Sequence, residues 1–347
     1  MNGGKLPTIR DVAARAGVSV MTVSRVANKQ SWVSPATRAK VEKAIAELNY
    51  APNATARALA GGDRRVALLY RSSTTSAYLG ELLLGGMDEA ARRHFHLVVE
   101  QCESGVPVEE VMARIVQARL SGVVMPPPLC DWDELIEALA RQGVPAVMMA
   151  PDRVHTGLPV VAIDDGQAAS DMTRHLIELG HRRIAFIRGN PRHRSSDRRL
   201  EGYRRTMAAQ GLEVSEDYIV EGDFSYRSGL EAAERLLDLA VLPTAIFACN
   251  DDMAAAAITI AHQRQISVPA ELSVCGFDDT PLAGAIWPAL TTVRQPIRDM
   301  SRAAMTLLAG AIRGPGGESE GQALARLDYQ IIRRQSDAVP PLHQERG

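Results

Sequence analysis

Cysteine is scarce in this chain of 347 residues, and long apolar runs are missing. The four cysteines, at positions 102, 130, 249 and 275, lie far apart and form no C-x-x-C pair. We therefore expect neither a disulfide framework nor a structural zinc site, and a reducing cytoplasm is the expected compartment. No run of about 18 apolar residues occurs, and the N-terminus has no apolar signal core, so neither a membrane span nor secretion is expected.

Motifs of common enzyme classes are also missing. The chain contains no G-x-x-x-x-G-K-[ST], no G-x-S-x-G and no H-E-x-x-H. Its eight histidines show no metal-binding spacing, and His94 and His96 are expected to be surface and packing residues. We therefore expect no catalytic activity, no bound metal and no cofactor.

Charge is unevenly distributed along the chain, although the net charge is only −2. Residues 1–65 contain eleven Lys and Arg against four Asp and Glu, a balance of +7. The remainder has 28 basic and 37 acidic residues, a balance of −9. A basic head on an acidic body predicts that only the head binds a polyanion such as DNA.

The head begins with the pattern of two short amphipathic helices between residues 11 and 28. Gly17 provides the permissive backbone at which the first helix stops, and Ser19 can cap the second. The small or branched residues expected to pack inside are Ala13, Ala14, Ala16, Val23 and Val26. The residues of the second helix expected to face outward are Thr22, Ser24 and Arg25. This pattern is typical of a helix-turn-helix, whose second helix enters the DNA major groove.

Two further helices are predicted in the head. Ser34 and Pro35 start one that runs to about residue 48, with Val41, Ala44, Ile45 and Leu48 at inward spacing. Residues 53–60 are helix-prone, but an isolated helix of this length does not persist in water. A plain linker is the alternative interpretation of that segment.

From Arg65 onward, short apolar strands alternate with helices. The predicted strands are 66–70, 96–100, 122–125, 145–149, 160–163, 184–187, 218–221, 245–248 and 274–277. The predicted helices are 79–94, 107–120, 131–142, 166–180, 199–211, 226–240 and 252–265. Continuous apolar runs between helices indicate parallel strands that are covered on both faces. Two such series in tandem predict two doubly wound lobes with a ligand-binding cleft between them.

The chain contains a series of short motifs, in the head and in the body, whose order and spacing together are specific. Those of the head are Thr8-Ile-Arg-Asp-Val-Ala13, Ala16-Gly-Val-Ser19, Thr22-Val-Ser-Arg-Val26, Asn28, Val33-Ser34, Thr37-Arg38 and Leu48-Asn-Tyr-Ala-Pro-Asn53. Those of the body are Leu179-Gly-His-Arg-Arg-Ile184, Arg199-Leu-Glu-Gly-Tyr203, Asn250-Asp251, Val274-Cys-Gly-Phe-Asp-Asp279 and Leu290-Thr-Thr-Val-Arg-Gln-Pro296. In this order and spacing, the chain resembles the LacI/GalR (lactose/galactose-repressor) family of bacterial transcriptional regulators.

The resemblance implies an N-terminal all-α helix-turn-helix domain with a hinge helix, followed by an α/β periplasmic-binding-protein-like core of two doubly wound parallel-sheet lobes. The implied boundaries are 1–52 for the DNA-binding domain, 53–62 for the hinge helix and linker, and 63–336 for the core. Within the core, the N-subdomain covers about 63–161 plus 294–325, and the C-subdomain about 162–293 plus 326–336. Residues 337–347 are expected to be a disordered tail. Because the tail has no apolar heptad, a symmetric homodimer is expected rather than a coiled-coil tetramer.

The resemblance also implies which residues contact DNA. Base contacts fall to Val20, Met21 and Arg25, and Arg25 is suited to bidentate donation to guanine. Two hinge helices, one from each subunit, would place Leu59 in the minor groove as a wedge between bases. The implied contacts to the DNA backbone are Thr8, Ser19, Thr22, Asn28, Ser34, Thr37 and Asn53.

In the body, the resemblance places an effector between the lobes. The implied contacts are Tyr78, Asp164, Arg199, Phe224, Asn250, Asp252 and Asp278. Asp278 can accept hydrogen bonds from vicinal hydroxyls, and Tyr78 and Phe224 offer flat walls for a sugar face. Helix capping remains an alternative for Asp164, and core or capping roles remain alternatives for Tyr78, Phe224 and Asp252. The loops 126–128 and 191–196 depart from the usual pattern, and the second is expected near the cleft.

The expected function is a ligand-responsive repressor of carbohydrate uptake or catabolism genes. A sugar or glycoside would release it from a near-palindromic operator, at which it would be associated with the nucleoid. A purine- or phosphosugar-corepressed regulator is the alternative. A solute-binding protein or an enzyme of the same α/β fold is more distant, since a periplasmic binding protein would lack the basic residues 1–60.

Overall fold

The computed structural model of the chain describes residues 8–27, 33–48, 64–72, 75–151, 157–191, 193–313 and 324–341. The chain divides into two compact units, residues 1–63 and 64–347. The predicted hinge segment 53–62 lies outside the described residues. No helix of the described ranges is both long and apolar enough to span a membrane.

The described part of the small unit holds three helices, α1 (Ile9–Ala16), α2 (Val20–Ala27) and α3 (Pro35–Glu47). Each helix begins at a hydroxyl residue. The Thr8 backbone N–H donates to the Asp11 carboxylate (2.7 Å), while the hydroxyls of Ser19 and Ser34 accept from the backbone N–H groups three residues later. Gly17 ends α1 with a φ of 66°, in the left-handed region that glycine tolerates. The predicted helix starts are therefore confirmed.

A small core joins these three helices. Its buried side chains are Val12, Ala13, Val23, Val26, Val41 and Ala44. Ala16, Ile45 and Leu48 are partly buried against it. Ala14 is exposed, so its predicted packing role is wrong. The reason is helical geometry, because one step of about 100° past Ala13 turns the next side chain away from the contact face.

The larger unit contains two six-stranded sheets. The strands of the first sheet are β1 (Arg64–Tyr70), β2 (Phe95–Gln101), β3 (Leu120–Met125), β4 (Ala146–Met149), β5 (Val160–Ala162) and β11 (Leu324–Arg326), in the order β11-β5-β4-β3-β1-β2. Those of the second are β6 (Ile184–Arg188), β7 (Ile219–Glu221), β8 (Ala245–Ala248), β9 (Ser273–Asp278), β10 (Thr291–Arg294) and β12 (Gln330–Ile332), in the order β12-β10-β9-β8-β6-β7. All pairs are parallel except β10 with β12.

Helices cover the sheets and define two lobes. Those of the first lobe are α4 (Ser76–Arg92), α5 (Val108–Gln117), α6 (Asp133–Arg141) and α12 (Ile297–Arg313). Those of the second lobe are α7 (Asp165–Glu178), α8 (Arg194–Ala209), α9 (Tyr226–Leu237), α10 (Asp251–Gln263) and α11 (Pro281–Ala285). Because β11 and α12 return to the first lobe after β10, the chain passes between the lobes three times.

The nine predicted strands and seven predicted helices of the body all occur, and the two-lobed fold class is confirmed. The largest difference in a boundary is the start of α8, which begins at Arg194 instead of 199. The polar residues 194–198 resemble a loop, but tertiary contacts hold them in a helix. The Ser196 hydroxyl accepts from the Gly189 backbone N–H (2.9 Å), and Asp197 pairs with Arg188 (2.7 Å).

The predicted disorder of the tail 337–347 is wrong at its start. The Asp337 carboxylate lies 2.6 Å from the His175 ring, and the Ala338 carbonyl lies 2.9 Å from the His181 ring. These contacts bind the chain end to the second lobe, although its sequence has no periodic apolar pattern. Residues 342–347 lie outside the described part of the chain.

Candidate nucleic-acid interface and effector cavity

The outward face of α2 brings together the three residues predicted to contact bases. Val20 and Met21 are 42% and 65% exposed, and Arg25 is exposed beside Met21, with its Nη2 3.6 Å from the Met21 sulfur. The opposite face is occupied by buried Val23 and Val26. Two apolar side chains beside an exposed guanidinium form a surface that can read both thymine methyl groups and guanine edges.

Hydroxyl groups surround this face. A shallow depression is lined by Val18, Ser19, Thr22, Arg25, Val33, Ser34 and Thr37. The hydroxyls of Ser19 and Thr22 are 2.9 Å apart, as are those of Ser34 and Thr37. Both pairs stand at helix N-termini, which favour phosphate groups. Thr8 lies apart from the depression at the start of α1, and Asn28, Asn53 and Leu59 lie outside the described residues.

The larger unit has a cavity between its lobes that opens to solvent. The first lobe contributes Thr75, Tyr78, Pro127 and Ala150; the second contributes His193, Ser195, Arg199, Phe224, Asn250 and Asp278; Gln295 lies where the chain crosses between the lobes. Asp278 ends a strand, and Pro127, Ala150, Phe224, Asn250 and Gln295 lie within three residues of a strand's carboxyl end, where ligands of doubly wound sheets bind. Five of the seven predicted effector contacts therefore line one cavity.

Arg199 is the charged centre of this cavity. Its Nη2 lies 2.8 Å from the Asp165 carboxylate, its Nη1 donates to the Cys249 carbonyl (2.6 Å), and its guanidinium stacks 3.5 Å from the Phe277 ring centre. Burial opposes the charged form, but the carboxylates of Asp165 and Asp278 outweigh it and raise the pKa of Arg199 above its ordinary value. Arg199 thus stays charged, with its charge balanced by protein carboxylates.

Gly202 explains how Arg199 reaches Asp165. A Cβ atom on Gly202 of α8 would lie 2.1 Å from the Gly166 carbonyl oxygen of α7, so only glycine permits this approach of the two helices. Asp165 precedes Gly166, and Arg199 lies one turn before Gly202. The close helix contact therefore places the two charges side by side.

Asp278 ends β9 and faces Arg199 across 3.9 Å. Its backbone φ of 116° is unusual for a residue with a side chain, and its carboxylate accepts a hydrogen bond from Gln295 (2.5 Å). Burial raises the pKa of Asp278 to about 7, although the charge of Arg199 and the Gln295 hydrogen bond oppose the rise. The carboxyl is thus poised to accept hydrogen bonds from a ligand.

Phe224 forms an aromatic wall with His193. Phe224 has a φ of 74°, and its carbonyl accepts a hydrogen bond from the Asn250 side chain (2.8 Å), which also caps α10. The two ring centres are 5.0 Å apart. Burial, followed by the charges of Arg71 and Arg199, lowers the pKa of His193 to about 4, so this ring is neutral at neutral pH.

Tyr78 approaches the carboxylate of Asp278 from the first lobe. Its ring is half-buried, and burial followed by the charge of Asp278 raises the pKa of Tyr78 well above its ordinary value. The phenol therefore keeps its proton and can donate a hydrogen bond to a ligand or to the carboxylate. Together with Phe224, it supplies aromatic surface from both lobes.

Two predicted effector contacts do not line the cavity. The Asp164 side chain accepts from the Gln167 backbone N–H (2.9 Å), so it caps α7, while its neighbour Asp165 turns inward to Arg199. Asp164 therefore has the capping role that was the alternative interpretation, and its effector role stays a prediction. Asp252 borders an adjacent space rather than the cavity itself.

Six lining residues were not predicted: Thr75, Pro127, Ala150, His193, Ser195 and Gln295. Four of them had a sequence signal, since Pro127, His193 and Ser195 lie in the two loops that depart from the usual pattern and Gln295 belongs to the last body motif. Loop 191–196 does reach the cleft, as expected. Within the described ranges, no group of His, Cys, Asp and Glu side chains is arranged to hold a metal ion.

A helix-turn-helix head and a two-lobed core with a polar cavity define the class of ligand-responsive DNA-binding regulators. Residues 8–53 match the family model described as bacterial regulatory proteins, lacI family, and residues 173–336 match that of the periplasmic binding protein-like domain. The chain is 35% identical over 331 residues to catabolite control protein A of Priestia megaterium, a match that covers 95% of this chain and 98% of the relative. The chain belongs to the LacI family of bacterial transcriptional regulators.

Two solved structures are similar over nearly the full chain. The complex of the transcriptional regulator CelR with cellobiose has 34% identity and a TM-score of 0.71, with 95% of this chain and 99% of that chain covered. The lac repressor dimer bound to operator and an anti-inducer has 29% identity and a TM-score of 0.78, with 96% and 100% covered. These relatives are regulators, and the protein is a DNA-binding transcriptional regulator of the same family.

Proposed function

We propose that the protein is a homodimeric, non-enzymatic repressor of carbohydrate uptake or catabolism genes that a neutral sugar or glycoside releases from a near-palindromic operator. The observation that carries the effector class is the charge balance of the cavity. Arg199 is paired with Asp165 and faces Asp278, and His193 is neutral. An anionic phosphosugar would find no unbalanced positive charge there, whereas neutral hydroxyls can donate to Asp278.

The surrounding groups also suit a sugar. On the polar side of the cavity, Gln295 holds the Asp278 carboxylate and Asn250 holds the Phe224 carbonyl. Phe224 and Tyr78 supply flat surface for the apolar face of a sugar ring. The cellobiose complex of CelR supports this class of ligand. We further propose that the chain crosses from one lobe to the other near residues 162, 294 and 326, as the strand order suggests.

In the head, we propose that Val20, Met21 and Arg25 contact bases. Thr8, Ser19, Thr22, Ser34 and Thr37 would contact phosphates, and Asn28, Asn53 and Leu59 keep the roles that the family resemblance implies. The exposed apolar residues beside Arg25 support this division. The dimeric lac repressor on its operator supports a two-fold arrangement. Such a regulator would act in the cytoplasm, at the nucleoid when bound to its operator.

The test combines ligand screening with DNA release. The purified full-length protein selects its binding site from a random DNA pool, and its thermal stability is measured with neutral sugars, phosphosugars and purines. We expect a neutral sugar to raise the melting temperature and to weaken DNA binding, measured by fluorescence anisotropy. Stabilisation by purines alone, with tighter DNA binding, would show that the effector is a purine corepressor and not a sugar inducer.

A further inference from the structure

A second space adjoins the effector cavity, and nothing above assigns a ligand to it. The residues of this space that matter here are Thr75, Ser76, Ser225, Tyr226 and Asp252. Thr75 lines both the cavity and this outer space, so the two meet at that residue. Ser225 directly follows Phe224, whose ring lines the inner cavity. The outer space is thus an extension of the cleft between the lobes.

The Thr75 hydroxyl of the first lobe and Asp252 Oδ2 of the second are both buried at this junction. Burial raises the pKa of Asp252, and a hydrogen bond from the Thr75 hydroxyl opposes that rise, so the two side chains are neighbours. Apart from this contact, neither atom has a hydrogen-bond partner among the described residues, whereas buried polar atoms are normally fully satisfied. A sugar hydroxyl can donate to the carboxylate and accept from the threonine at the same time.

An aromatic ring stands at the same space. Tyr226 is 40% exposed, yet its hydroxyl is held by a hydrogen bond to Thr259 Oγ1 (2.6 Å). The ring is therefore fixed in position while its surface stays accessible. The outer space thus repeats the chemistry of the inner cavity, in which a carboxylate stands near an aromatic wall.

We propose that the outer space is a second sugar subsite and that the effector is a disaccharide. One ring lies against Asp278 and Phe224, and the second ring reaches Asp252, Thr75 and Tyr226. This assignment rests on the proposed function, since it assumes a neutral sugar in the inner cavity. It also explains why Asp252 borders the outer space instead of the inner one.

The experiment compares matched sugars by isothermal titration calorimetry on the full-length protein. The disaccharides are cellobiose, maltose and lactose, and the monosaccharides are their units, glucose and galactose. We expect one disaccharide to bind at least tenfold tighter than either of its units. Asp252→Asn, which keeps the side-chain shape, should lower that affinity at least tenfold, and Tyr226→Ala should lower it several-fold. Neither should change the affinity for the monosaccharide of the inner cavity more than twofold.

Asp238→Asn is the matched control, because its carboxylate lies on the exposed surface and pairs with Arg264. It should leave both affinities unchanged. Equal binding of disaccharide and unit, or equal weakening of both by Asp252→Asn, would overturn the second subsite and leave the sugar repressor standing. Failure of every neutral sugar to bind, while a purine or phosphosugar does, would overturn the proposed function itself.

Discussion

The guanidinium of Arg199 and the carboxylate of Asp165 lie 2.8 Å apart beneath the effector cavity, and both side chains are almost fully buried. A buried ion pair of this kind contributes little net stability against apolar replacement, but it becomes very unfavourable when one partner is lost. Its main consequence here is chemical, since it places a cation in the cavity without leaving a net positive charge.

Replacement of Asp165 by Asn should therefore lower the free energy of unfolding by about 3 kcal/mol, because the buried Arg199 charge loses its nearest counter-charge. Urea unfolding at pH 7 measures this change. The matched control is Asp164→Asn, one residue earlier, where Asn also caps a helix well and the loss should be below about 0.5 kcal/mol. Equal losses in the two variants would show that the ion pair has no special role.

Asp278 should make stability depend on pH. Its pKa is about 7 in the folded protein and about 3.9 when unfolded, so between these values the folded state holds a proton that the unfolded state has released. This stabilisation is complete below pH 4 and is lost as the pH rises to 7, at about 1.4 kcal/mol per pH unit. Asp278→Asn removes the titration.

The stability of Asp278→Asn relative to wild type should therefore rise between pH 4 and pH 7 and level off above it. Urea unfolding of both proteins at each pH unit gives this difference, since titrating groups that do not interact with Asp278 cancel in the comparison; the neighbouring Asp251, whose pKa the Asp278 charge helps to raise, does not. Parallel stability curves would mean that Asp278 ionises normally. In the wild type, sugar affinity should increase from pH 6 to pH 8, because the ionised carboxylate is the better acceptor.

Gly189 should control the aromatic wall. A Cβ atom at this position would lie 2.1 Å from Cζ of Phe224, so Gly189→Ala must displace the ring. We expect sugar affinity to fall at least tenfold and stability to fall by about 1–3 kcal/mol. In the control Gly80→Ala no atom lies within 4 Å of the added Cβ, and the helix should become slightly more stable. Unchanged sugar binding by Gly189→Ala would show that the Phe224 ring does not contact the effector.

Arg25 should determine sequence discrimination. Arg25→Ala should cost about 1–3 kcal/mol on the selected operator and much less on variants altered at one base pair, while sugar binding stays unchanged. Anisotropy titrations on a panel of single base-pair variants measure this. Arg15→Ala is the control, since the Arg15 guanidinium pairs with Glu47 (2.6 Å) and does not line the depression beside α2. A uniform loss on all sequences would make Arg25 a phosphate contact.

The helices and strands were largely predictable because their signals are local. Val23 and Val26 recur at helical spacing around exposed Arg25, and runs such as Ala245–Ala248 are apolar on both faces of a buried strand. The later elements β10 to β12, α11 and α12 were not predicted individually. Their short or mixed patterns become strands and helices only against neighbours that lie far away in sequence.

The sites were less predictable residue by residue. Asp164 and Asp165 are adjacent carboxylates, and no local signal shows that the first caps a helix while the second enters the core. His193 lies in a polar loop whose burial depends on Phe224. Asp337 follows no periodic pattern, yet it is held by His175, which is 162 positions earlier.

The sequence alone determined the helix-turn-helix, the alternation of strands and helices, and the family, because each depends on short-range periodicity or on ordered motifs. The tertiary structure decided what the cavity contains. Its residues extend from Thr75 to Gln295 and meet only because two mostly parallel sheets bring their strand ends to one cleft. Which carboxylate meets Arg199, and whether a second sugar ring has a place, depends on that convergence rather than on any local pattern.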